Sequence, residues 1–153
     1  GQAVTITYAV ITNQCLAAGT TIINLAQLED SIGTVLTRTA TVTVSHAAPE
    51  IPSAPSPANG AINQPPDIRL AWFSSTDLNC DPITYQVAFG TTDPPPVVAT
   101  GLTEASFNPG LLMPGTTYIW SVSASDGYTE MVGKTWSFTT IVERLYYLPL
   151  ISK

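Results

Sequence analysis

LLMPGTTYIWSVSASDG, residues Leu111–Gly127, carries the clearest strand signal in the chain. From Tyr118 onward the apolar side chains fall on every second position: Tyr118, Trp120, Val122 and Ala124. A period of two is the spacing of a β-strand, whose successive side chains point to opposite faces. Pro114-Gly115 before the run and Asp126-Gly127 after it are turn dipeptides that bound it. The same alternation recurs on either side. DIRLAWF (67–73) sets Ile68, Leu70 and Trp72 in register, ITYQVAF (83–89) sets Tyr85, Val87 and Phe89, and TWSFT (135–139) supplies Trp136 and Phe138. Short strands separated by Pro-, Gly- and Asp-containing turns are the pattern of an antiparallel sandwich. Its expected core holds Trp72, Tyr85, Tyr118, Trp120 and Trp136.

Upstream, HAAPEIPSAPSP (46–57) is studded with proline, which cannot donate to a sheet ladder; it reads as a semi-rigid linker. Before it the alternation resumes. AVTITYAVI (3–11) places Val4, Ile6, Tyr8 and Val10 on one face, TTIINLAQL (20–28) follows a turn at Gly19, and TRTATVTVS (37–45) opposes Ala40, Val42 and Val44 to Thr39, Thr41 and Thr43. Three strands are expected here. The predicted organisation is therefore an all-β chain of two sandwich units: residues 1–46 as an incomplete Ig-like unit, 47–57 as linker, 58–140 as the second domain, and 141–153 as a tail.

With these runs in place, LLMPGTTYIWSVSASDG resembles the E–F corner and F strand of a fibronectin type III domain. Tyr118 occupies the tyrosine-corner position, Trp72 matches the tryptophan usual on strand B, and STDLNCDPITYQVAFG is similar to a B–C loop and C strand of bacterial members. The resemblance covers about residues 50–140. Residues 1–46 resemble the closing strands of an Ig-like conserved repeat domain of bacterial surface proteins, and YYLPLISK is similar to a short C-terminal motif of secreted proteins in some filamentous bacteria.

Composition narrows the function classes. Net charge is −6, with five Lys and Arg against eleven Asp and Glu among 153 residues. Nucleic acid and anionic membrane both call for a basic footprint, so neither is an expected partner. No apolar run approaches the roughly 20 residues of a membrane span. Only 10% of residues are charged, and threonine and serine replace them, which reads as extracellular, at a bacterial cell surface. Those threonines could carry O-linked sugars. The chain starts at Gly1 with no charged, apolar leader, which reads as a processed chain or a fragment of a longer one.

A sandwich of this class takes about 100 residues and seven strands, whereas residues 1–46 offer three. An apolar sheet face must be covered, since exposed apolar area costs roughly 25 cal/mol per Å². In the fibronectin-like topology Cys80 lies in the B–C loop, at the end where the chain enters, and Cys15 ends a strand at the same pole. A Cys15–Cys80 disulfide locking the two domains is therefore expected. An odd strand count sends the tail away from its own N-terminal unit. In RLYYLPLISK (144–153) Leu145, Tyr147 and Pro149 alternate with Tyr146, Leu148 and Leu150, so both faces are apolar through to Ile151. The tail suits a strand inserted into a neighbour, as in donor-strand complementation; the alternatives are a segment packed on the edge of its own domain or a sorting signal. Val4, Ile6, Tyr8, Val10, Ala40, Val42 and Val44 form the expected acceptor face. The function expected is the structural subunit of an extracellular filament, a head-to-tail polymer of copies of itself. The alternative is a spacer or carbohydrate-binding or adhesion module of a larger secreted surface protein.

Chemistry finds little support. His46, the sole histidine, reads as a solvated linker residue. Asp77, Asn79 and Asp81 mimic the start of a calcium loop, but Pro82 stands where glycine is needed and no glutamate follows at the twelfth position, so a turn is expected. Neither cysteine lies in a zinc-type cluster. The three tryptophans fall on core positions, not on a sugar platform. No nucleophile elbow, zincin helix motif or phosphate loop is present. No cofactor, no metal and no enzymatic activity are expected.

Overall fold

The structure, a computed structural model, describes residues 15–29 and 32–142. The described residues are all-β and divide into two compact units. One takes the residues up to Ala47 together with Leu78–Cys80, and the other takes Ala48–Asp77 and the residues from Asp81 onward.

In the first unit β1 (Thr21–Glu29) and β2 (Val35–Thr43) pair antiparallel in one unbroken register, from Thr21 opposite Thr43 to Glu29 opposite Val35. Valine and threonine make up most of β2, and β1 opens on Thr21, Ile22 and Ile23; branching at Cβ favours the extended backbone. Gly33, at φ +83°, turns the chain between them in a conformation that costs glycine little. At the other end Gly19 N–H donates to the Val44 carbonyl at 2.9 Å and Val44 N–H to Thr20 at 2.8 Å, extending the ladder past β2.

The second unit contains β3 (Ser53–Ser56), β4 (Ala61–Gln64), β5 (Leu70–Phe73), β6 (Thr84–Gly90), β7 (Val97–Leu102), β8 (Ser106–Phe107), β9 (Thr117–Ser125), β10 (Glu130–Val132) and β11 (Trp136–Thr140). One sheet runs β3-β5-β8. The other runs β4-β11-β9-β6-β7, with β10 pairing the far end of β9 on the edge that β11 also uses. Gly133 makes that hand-over between β10 and β11 feasible. Its N–H donates to the Val122 carbonyl at 2.8 Å, and a Cβ there would lie 2.5 Å from the same oxygen. The core between the sheets is built from Leu70, Trp72, Tyr85, Val87, Trp120, Val122, Trp136 and Phe138, all buried. Trp72 meets Tyr85 edge-on at 5.3 Å, and Trp120 and Trp136 pack at 4.8 Å, geometries that suit the aromatic quadrupole.

The stretch expected as a linker contains a strand. Ser53 pairs with Phe73 and Ser56 with Ala71, with an irregularity between them at which Ala54 takes φ 50°. The physical reason is position. β3 is an edge strand, where a proline that lacks its N–H removes no bond that a neighbour needs. Pro52 and Pro57 are buried, and the unit begins at Ala48 rather than at residue 58.

Candidate functional site

The β1–β2 ribbon is where this chain departs from a closed sandwich. Cross-strand register sets Ile22, Asn24, Ala26 and Leu28 opposite Val42, Ala40, Arg38 and Leu36 on one face. Ile23 and Leu25 share the other face with Thr41 and Thr39. Every residue of β2 is exposed, and only Ile22, Asn24 and Ala26 of β1 reach even half-burial. On the first face Val42 is 56% exposed, Leu28 51% and Leu36 48%. That face carries the apolar set a core would use, yet most of it meets solvent.

Of the expected acceptor residues, Ala40 and Val42 lie on this face and are exposed, while Val44 continues it beyond β2 and is half-buried. Val4, Ile6, Tyr8 and Val10 lie outside the described residues, as do Leu145, Tyr146, Tyr147, Leu148, Leu150 and Ile151 of the expected donor strand.

The base of the ribbon is held covalently. Cys15 and Cys80 form a disulfide with a Cα–Cα separation of 5.5 Å, inside the range such bonds span. Both half-cystines belong to the first unit, because Leu78–Cys80 is part of it. Beside it Asn79 is buried at 8% exposure. Its Nδ2 donates to the Leu16 carbonyl at 2.8 Å and the Ser45 carbonyl at 3.3 Å, and its Oδ1 accepts the Ala47 N–H at 2.7 Å. One carboxamide therefore ties the chain entering β1 to the chain leaving β2, using both donors and the acceptor that such a group offers. The following residue, Cys80, sits at φ 59°.

Asn79 is the residue that sequence reasoning underrated. The D-x-N-x-D spacing drew attention to it as a failed calcium loop, and its neighbours do make a turn, with Asp77 Oδ1 accepting the Asp81 N–H at 3.3 Å. Its partners, however, are up to 63 residues away. No local signal announces such bonds. His46 also differs from expectation: it is half-buried and both ring nitrogens are withdrawn from solvent, because it lies between Ser45 and Ala47, the two positions that Asn79 holds. Among the described residues no cluster of His, Cys, Asp or Glu could hold a metal.

In the second unit the anticipated core residues are all inside. Trp72 and Trp136 are 5% exposed, Tyr85 3%, Tyr118 7% and Trp120 0%. Tryptophans so placed cannot form a sugar platform. The Tyr118 hydroxyl accepts the Met113 N–H at 3.0 Å, and Leu112 beside it is buried, which fixes the corner before β9. A shallow hollow on this unit is lined by Thr84, Gln86, Thr100, Ser123, Ser125 and Glu130, and Ser123 Oγ donates to Glu130 within it.

No protein-family model and no curated protein matches the chain. Among solved structures, domains d3-d4 of the rat CD45 extracellular region align at a TM-score of 0.52 and 14% identity, over 92% of this chain and 73% of that one. Chicken CNTN1 FN1-FN3 domains align at 0.48 and 16%, over 74% and 40%, and FN3tt mut at 0.45 and 13%, over 64% and 100%. The likeness to the CD45 domains is one of fold: the chain is all-β and contains a fibronectin type III-like sandwich.

Proposed function

We propose that this chain is the structural subunit of an extracellular bacterial filament, assembled head to tail by exchange of its C-terminal segment. The observation that carries the reading is the first face of the β1–β2 ribbon, where Leu28, Leu36 and Val42 stay about half-exposed on strands whose register is otherwise complete. Such a face calls for cover. The segment Leu145–Ile151 has the composition for a strand inserted there, being apolar on both sides. One copy's segment on the next copy's ribbon is a heterologous contact that does not close, and repetition makes a fibre. Pro149 lacks an N–H and limits the pairing to one edge or a gap in the ladder. The disulfide supports an oxidising compartment outside the cytoplasm.

The burial of Trp72, Trp120 and Trp136 weighs against a carbohydrate-binding module built on those rings. Deleting residues 144–153 tests the reading. The truncated chain should stay soluble with its second unit folded and should give no fibres by electron microscopy, while a synthetic RLYYLPLISK peptide should cap the ribbon of the intact chain and shorten its polymers. A truncated chain that polymerises like the full one overturns strand exchange.

A further inference from the structure

Val142 lies in an exposed apolar patch built by a rigid corner of the second unit. Gly115 N–H donates to the Ile141 carbonyl at 3.0 Å and Thr140 N–H to the Thr116 carbonyl at 3.0 Å, while the Thr140 hydroxyl donates to the Met113 carbonyl at 2.7 Å. Leu112 N–H donates to Pro66 at 2.8 Å and its side chain turns inward at 6% exposure. Leu111 and Met113, on either side of it, therefore point out, at 85% and 71% exposure. Val142 is 67% exposed and Ile141 44%, and Val142 packs so near Gly115 that a Cβ there would meet its Cγ2 at 3.2 Å. Four apolar side chains held open by this many backbone bonds are a poor use of a surface unless something covers them.

We infer that this patch seats the next copy of the chain, against its unit formed by residues 1–46. The inference rests on the strand-exchange reading and adds the surface beside the exchanged strand. Its warrant is reach. Only Glu143 and Arg144 separate Val142 from Leu145, where the donated strand begins. Three Cα steps span at most about 10–11 Å. A neighbour that accepts Leu145 cannot stand away from Val142; it abuts the corner that carries Leu111 and Met113. The patch and the strand are then one continuous interface, in which the strand supplies register and the patch fixes the angle between subunits.

The test uses the full chain carrying Leu111→Asp and Met113→Asp. Both side chains are exposed, so thermal unfolding of the second unit should not change. The concentration needed for polymerisation, read by sedimentation and electron microscopy, should rise at least tenfold. The RLYYLPLISK peptide should compete with assembly of variant and parent alike. Unchanged assembly of the variant overturns the patch and leaves strand exchange standing. Failure of the peptide to compete with either chain overturns strand exchange and this inference with it. Oxidative footprinting gives a second readout: Met113 should be protected in polymers and accessible in dilute monomer, and protection in the monomer would place the chain's own tail on the patch and overturn the proposal.

Discussion

β2 and β9 are both nine residues long, and both alternate apolar with hydroxyl-bearing side chains over most of their length. Their fates differ. β9 is paired on both edges and covered by the β3-β5-β8 sheet, so that Tyr118, Trp120, Val122 and Ala124 are buried. β2 has one partner among the described residues and is exposed throughout. Alternation thus states which face of a strand calls for cover. It does not state where the cover comes from. In the second unit the same chain supplies it through aromatic residues from β5, β6 and β11; on the ribbon's first face the apolar set is smaller, made of Ile22, Ala26, Leu28, Leu36, Ala40 and Val42, with no aromatic side chain among the described residues of that face.

The contrast can be broken most forcefully at Trp120. Replacing this fully buried side chain by alanine removes the centre of a cluster with Trp72 and Trp136 and should cost about 5 kcal/mol, the upper end for a large aromatic lost from a core. Urea unfolding followed by near-UV dichroism should show the second unit's transition collapse. A loss below about 1 kcal/mol would mean the core is not centred there.

The first unit should depend on its staple in place of a core. Cys15→Ser with Cys80→Ser opens a loop of 65 residues' separation, for which chain entropy gives a loss of about 4 kcal/mol. The signature is a protease-sensitive first unit beside a second unit whose melting is unmoved. Equal melting of both units with and without the bridge would sink the idea that they are held by different means.

Asn79→Ala comes next, at about 2–3 kcal/mol, because it deletes three bonds and leaves two carbonyls and an N–H short of a partner in a buried place. Hydrogen exchange should report it at Ala47. An effect confined to residues near 79 in sequence would show the carboxamide to be a local turn element.

These residues also show what was legible beforehand. β5, β6, β9 and β11 were readable because each carries bulky apolar side chains, at least one ring among them, at a period of two. β3, β4, β8 and β10 were not: SAPS, AINQ, SF and EMV are two to four residues long and alternate too briefly to register. They are strands because a neighbour offers a ladder, a tertiary cause with no local trace. SAPS was even read as linker, since proline argues against a central strand and says nothing against an edge. The disulfide was reachable from topology, whereas Asn79 was not, as its partners lie at sequence distances no spacing rule covers. The ribbon's apolar face was visible in TRTATVTVS.

The smallest expected effect is the most discriminating. Val→Thr keeps the shape of the side chain and exchanges a methyl for a hydroxyl, so its cost measures how dry the site is. At Val122, 1% exposed, the hydroxyl enters a core and should cost roughly 2 kcal/mol. At Val42, 56% exposed, the same exchange in dilute monomer should fall within about 0.5 kcal/mol of zero, as for a surface site. Strand exchange adds a condition: once chains are assembled, Val42 lies beneath a neighbour's strand, and Val42→Thr should then weaken polymers while Val122→Thr acts only on the fold. The comparison therefore calls for two measurements per variant, monomer unfolding by denaturant and polymer dissociation by dilution. A Val42→Thr that costs as much as Val122→Thr in the monomer means that the ribbon's face is already covered within one chain. A Val42→Thr that is silent in both states means that nothing ever covers it, and a filament held by this face has to be given up.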